Sequence, residues 1–243
     1  SASVHEGPFA LWCAARFERA EPCRGWPRLT AKNFVALAEK GGLLFDGAVG
    51  SLLYERGVFL TNCFENVCLT QPTLVRQIHE EYVQAGAQVV CTNTFGANRL
   101  KLERHSLADK LEAIIEAAVM VAREASGGRA FVAGSVGPSG LKFDQLTKPE
   151  GRPARRALEE QMKLLVDAGV DLLALETFTI LQELENAVAF AKRTWPDLPV
   201  VANYTFRRDG KGWGGQPQEL IARRLIDAGA DVVGGKLVEV NVA

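Results

Sequence analysis

One phrase occurs three times in this chain: Ala85-Gly86-Ala87-Gln88-Val89-Val90, Ala168-Gly169-Val170-Asp171-Leu172-Leu173 and Ala228-Gly229-Ala230-Asp231-Val232-Val233. Each copy closes a helical pattern on Ala-Gly and then enters a short apolar run. The glycine suits the left-handed residue that ends a helix. The unbroken apolar run suits a strand buried on both faces. A helix that stops and a buried strand that starts, repeated with short links, is the unit of a parallel α/β sheet. That sheet is either a barrel or an open doubly wound sheet.

The intervening residues fill in the pattern. Apolar runs predict strands at 43–45, 88–92, 130–133, 170–175, 200–204 and from 231. Helical periodicity predicts helices from Pro72 to about Ala85, and over 107–125, 154–168, 181–194 and 217–228. Thr30 is placed to cap a short helix that carries Phe34, Leu37 and Ala38 on one face. Neither G-x-x-x-x-G-K nor G-x-G-x-x-G follows the first strand, which lowers a nucleotide-binding reading. Residues 1–28 are rich in Arg, Pro, Cys and Trp without periodicity, and read as a poorly ordered extension ahead of a barrel-type domain over 29–243.

Polar residues gather where the strands end, the place where α/β folds build their sites. Asp46-Gly47-Ala48 follows the first strand; it suits a ligand-facing turn, or simply a tight turn that caps a helix. Asn93, Thr94 and Phe95 follow the second, with groups to bond and wall a ligand, or to cap the next helix. Ser135 follows the third within Gly134-Ser135-Val136-Gly137-Pro138-Ser139-Gly140. No histidine lies after it, so a hydrolase triad in Ser-Asp-His order is disfavoured. Glu176 ends the fourth strand and suits a substrate ammonium, or else a neighbouring Lys or Arg. His79-Glu80 starts like H-E-x-x-H, but position 83 is Val, so the pair reads as the solvated face of a helix.

In this order, Leu44-Phe45-Asp46-Gly47-Ala48-Val49-Gly50-Ser51, Thr92-Asn93-Thr94-Phe95-Gly96-Ala97, the Gly134–Gly140 turn and Leu175-Glu176-Thr177-Phe178 resemble the homocysteine S-methyltransferase family. Arg56-Gly57-Val58-Phe59-Leu60 is similar to the bacterial members fused to a methylenetetrahydrofolate reductase. The resemblance implies a (β/α)8 TIM-barrel fold, here incomplete at about six βα units. It implies methyl transfer from a small-molecule donor to the thiol of homocysteine, giving methionine. It places Asp46, Gly47, Ala48, Asn93, Thr94, Phe95, Ser135 and Glu176 around the amino acid, with Glu176 on its amino group.

The resemblance also implies zinc, held by three cysteines near the ends of strands six and eight. Zinc would strip the proton from a thiol whose ordinary pKa is about 8.5. Here Leu237 stands at the strand-six position, and no Cys-Cys pair follows it. The expectation is therefore a C-terminally truncated domain, with no metal ligands, no catalytic residue and no turnover. The alternatives are a non-catalytic amino-acid-binding or scaffold module, and another small-molecule enzyme on a βα scaffold. Open barrel edges predict self-association. The net charge of −1 gives no basic excess for a nucleic-acid partner. No apolar run is long enough for a membrane span. Five cysteines without CxxC spacing suit reduced thiols in a cytoplasmic protein.

Overall fold

The computed structural model describes residues 31–59, 61–141 and 151–237. The expected extension over 1–28 and the tail 238–243 lie outside them. Five parallel strands are laid down in chain order: β1 (Val89–Cys91), β2 (Phe131–Val136), β3 (Leu172–Phe178), β4 (Val200–Phe206) and β5 (Val232–Leu237). Since each strand pairs with the next in sequence, every crossover advances in one direction. That is the single winding of a barrel; a doubly wound sheet reverses its order.

The predicted first strand is reduced to one bridge, Phe45 to Val89. Two backbone bonds flank it, from Gln88 N–H to Leu44 O at 2.7 Å and from Asp46 N–H to Val89 O at 2.9 Å. Residues 43–46 therefore run alongside β1, and Asp46 emerges at its carboxyl end.

Nine α-helices accompany the described strands. They are α1 (Ala31–Gly41), α2 (Val49–Glu55), α3 (Val67–Thr70), α4 (Pro72–Gln84), α5 (Arg99–Glu103), α6 (Leu111–Ser126), α7 (Gly151–Asp167), α8 (Leu181–Thr194) and α9 (Gln218–Asp227). The short helices α2, α3 and α5 are additions to the sequence-based pattern. They lie in the connections beyond the strand ends, where periodicity is too brief to register. Helix α4 packs on α6, α6 on α7, α7 on α8 and α8 on α9, a helical layer wound around one side of the sheet.

Strand parity divides the apolar residues into two cores. Val90, Val132, Leu173, Leu175, Val200 and Ala202 face the helices. Val89, Phe131, Ala133, Leu172, Ala174 and Val201 face the other way, and Phe34 of α1 joins them. The Phe34 ring meets Phe131 edge-on, with centroids 5.4 Å apart. Phe34 is 1% exposed, so α1 closes the amino-terminal end of the inner face with an aromatic plug. Helix α1 thus contributes to the domain by burial. Phe34→Ala should lower stability by about 3 kcal/mol, read as a reduced denaturation midpoint; an unchanged midpoint would contradict this role.

Candidate functional site

The inner parity that carries Phe131 and Ala133 continues to Ser135, and that of Leu172 and Ala174 continues to Glu176. Side chains two residues apart share a face of a strand. The same row therefore changes from apolar to polar at the carboxyl ends. Asp46 and Cys91 complete this polar layer from the Phe45 bridge and from β1.

The layer is tightly bonded. The Cys91 amide donates to Asp46 Oδ2 at 2.9 Å, and the Cys91 thiol lies beside the same carboxylate. Ser135 Oγ donates to Glu176 Oε1 at 2.6 Å. Burial pushes Asp46 up to about 7 from its ordinary 3.8, and the nearby Glu176 carboxylate adds to the shift. Its side chain is 2% exposed. The two acids are thus neighbours, with the Asp46 carboxylate buried and Glu176 half-buried, and Asp46 is poised to hold a proton near neutrality.

Backbone irregularity aims Glu176. The β3–β4 register shifts between Leu175 and Phe178, and Thr177 has φ of 65°. Left-handed backbone is disfavoured for a β-branched residue. A bulge of this kind re-aims side chains near functional sites. Lys236 Nζ, from β5, donates to Thr177 Oγ1 at 2.8 Å, tying the end of β5 to this bulge.

The remaining predicted residues lie around the layer in different roles. A Cβ on Gly47 would come within 2.7 Å of the Tyr82 hydroxyl, so a larger residue would displace α4's tyrosine. The Ala48 carbonyl accepts from that same hydroxyl at 3.5 Å. Asn93 is buried, and its amide donates to Phe64 O at 2.7 Å and to Cys68 Sγ at 3.6 Å. Its donors hold the segment around α3. The Thr94 hydroxyl bonds Ser135 O and Thr92 Oγ1, both at 2.7 Å. Gln161 of α7 donates to Thr94 O at 2.7 Å, which fixes the turn from the helical side. Phe95 is 36% exposed with the Lys101 ammonium 4.7 Å from its ring centre. The structure therefore brings Asp46, Ser135 and Glu176 together, while Asn93 and Thr94 bond the loops that frame them.

One residue was misread from sequence. His79 lies on the buried face of α4 with Val75, Ile78 and Val83, at 0% exposure. Its Nδ1 is 3.9 Å from Asp46 Oδ2. The signal was present in the helical spacing of those apolar neighbours, which places residue 79 on their face. Burial holds its pKa down at about 4.

The described donors do not fit a zinc ion. No group of three His, Cys, Asp or Glu among the described residues could hold a metal. Burial pushes the thiols of Cys63 and Cys68 up to about 11 and about 12, and that of Cys91 well above its ordinary value. Metal binding needs thiolates.

Parallel strands wound in one direction, with two acids near their carboxyl ends, define a partial βα-barrel fold. The chain belongs to the homocysteine S-methyltransferase family, whose profile matches residues 43–238. It is 37% identical over 166 residues to betaine–homocysteine S-methyltransferase 1 of Danio rerio, covering 67% of this chain and 40% of that protein. It is 29% identical over 205 residues to methionine synthase of Mycobacterium leprae, covering 78% of this chain and 17% of that protein. The chain thus spans less than half the length of these two relatives. Among solved structures it matches the metallated homocysteine methyltransferase MmuM of Escherichia coli with a TM-score of 0.68 and 29% identity, covering 83% of this chain and 76% of that one. No helix among the described residues is long and apolar enough to cross a membrane.

The two perturbed groups predict opposite pH slopes. Asp46 binds its proton more tightly folded than unfolded, so its stability contribution is full below about pH 3.8 and is lost as pH rises through about 7. His79 binds its proton less tightly folded, so its contribution is full above about pH 6.5 and is lost as pH falls through about 4. Between these limits the slopes offset. Relative to wild type, Asp46→Asn should lose melting temperature on acidification from about pH 6.5 to about pH 4.5, and His79→Leu should gain it. Thermal melts across that range check the sign of each.

Proposed function

We propose that this chain holds the amino-acid end of homocysteine for methyl transfer to its sulfur, with the ammonium between Asp46 and Glu176. The observation that carries the reading is the pair of neighbouring carboxylates in one polar layer at the strand ends. Two neighbouring acids repel each other, and a single cation relieves both. Ser135 orients Glu176 through its hydroxyl, and the Cys91 amide orients Asp46. Gly47 leaves room for the Tyr82 hydroxyl, which reaches the Ala48 carbonyl and fixes the first turn beside Asp46. Asn93 and Thr94 brace the loops that frame the acids, and Phe95 lines a separate cavity with Cys63, Glu65 and Lys101.

Methyl transfer needs the substrate sulfur as a thiolate, and zinc supplies that ionisation in the mechanism the family resemblance implies. The described residues bind and orient the amino acid; they do not supply the metal's ligands. The methyl donor is a small molecule such as betaine or a methylated folate. Its place lies on the open, carboxyl-end side of the polar layer, where the homocysteine sulfur would point.

Calorimetry with L-homocysteine tests the reading. Wild type should bind, and Glu176→Gln should weaken binding by about tenfold to a hundredfold through loss of a charge-assisted bond. Equal affinities for the two proteins would overturn it. The lack of a fitting metal-donor set among the described residues favours a second reading, an amino-acid-binding module without turnover. Homocysteine binding with no methionine formed in the presence of zinc and a methyl donor would select it. Sedimentation of the same sample reads the self-association expected of exposed strand edges.

A further inference from the structure

His79 is unfavourable where it stands unless it has a task. It is fully buried on α4, and neither Nδ1 nor Nε2 meets a hydrogen-bond partner among the described residues. An unpaired buried polar group costs about 1–3 kcal/mol. A leucine beside Ile78 and Val83 would avoid that cost and fill the same face. What distinguishes the imidazole is its direction: Nδ1 faces Asp46 Oδ2 at 3.9 Å. This is just outside hydrogen-bond range.

The other sides of Asp46 are occupied. The Cys91 amide bonds it from β1, and the Glu176 carboxylate repels it from β3. The Tyr82 hydroxyl, one turn along α4 from His79, is committed to the Ala48 carbonyl. On the α4 side the His79 ring faces Asp46.

We propose that His79 is a positioning residue for the amino-acid site, closing onto the Asp46 carboxylate as an Nδ1–H donor when that carboxylate takes the ligand's ammonium. The inference rests on the amino-acid site proposed above. A neutral imidazole carries one N–H, and the group facing its other nitrogen, or the lack of one, sets the tautomer. Protonation at Nδ1 gives Asp46 a donor that carries no charge into a dry site. An arriving ammonium favours the ionised acid, and the ionised acid accepts the extra bond. No covalent step is involved; the ring's role is to lower the free energy of the carboxylate form.

This role leaves a signature that packing alone does not. Without the donor, Asp46 keeps its proton to higher pH, so a ligand must displace that proton before it binds. Affinity then falls near neutrality and recovers as pH rises. A cavity or a shifted helix would weaken binding evenly across pH. The groups that contribute to the profile are Asp46, Glu176 and Cys91 in the layer, His79 and Tyr82 on α4, and the ligand's own amine.

The test is calorimetry of L-homocysteine with the whole chain from about pH 6 to about pH 8, for wild type, His79→Leu and His79→Asn. The asparagine amide nitrogen substitutes for Nδ1. His79→Leu should weaken binding about tenfold at the acid end, equivalent to about one pKa unit at Asp46, with the loss shrinking toward the alkaline end. His79→Asn should restore most of the affinity. Wild-type affinity in His79→Leu, or a loss that is uniform with pH and not rescued by asparagine, would overturn the proposal. A second measurement needs no ligand. The imidazole nitrogen resonances of His79 should report the Nδ1–H tautomer in wild type and should change in Asp46→Leu. An Nε2–H tautomer indifferent to Asp46→Leu would overturn it. If wild type binds no homocysteine, the proposed function fails, and the resonances still decide the Asp46–His79 pairing.

Discussion

Two carboxylates share the carboxyl end of the inner face, and the surrounding structure answers their repulsion. Asp46 is bonded by the Cys91 amide, Glu176 by the Ser135 hydroxyl, and burial leaves Asp46 inclined to keep its proton near neutrality. Each of these bonds comes from a different strand end. The parallel register is therefore what allows four short segments, far apart in sequence, to charge and solvate one small volume. Below them Phe34 and Phe131 close the inner face, so water reaches the acids from the carboxyl-end side.

The ordering of the molecule was legible in its repeats. Gly86, Gly169 and Gly229 all adopt positive φ, and the strands that follow them are β1, β3 and β5. These features are local: a glycine needs its own conformation, and an apolar run needs cover, wherever they occur. What depends on pairing was less legible. Leu43 to Phe45 read as a strand, yet it makes one bridge, because its length in the sheet is set by a neighbour only three residues long.

The site was legible by position more than by role. Parity and strand ends pointed to Ser135 and Glu176, and both lie in the polar layer. Asn93 has the right chemistry for a ligand, but its amide donors are taken by Phe64 and Cys68, a loop whose course periodicity does not reveal. His79 was lost to a motif comparison. Its place between Val75 and Val83 at four-residue spacing assigned it to the buried face. The bulge at Thr177 had no local cue, because it arises from a register shift between β3 and β4.

Thr177 holds a conformation that an isolated chain would abandon, at a cost on the order of 1–3 kcal/mol for a side-chain-bearing residue. The tether from Lys236 helps keep it there. The acid next to it therefore points where it does by constraint, like a latch under tension. Its aim is steadied at a distance by the last described strand, so the far edge of the sheet is tied to the acid end of the polar layer through one side-chain bond.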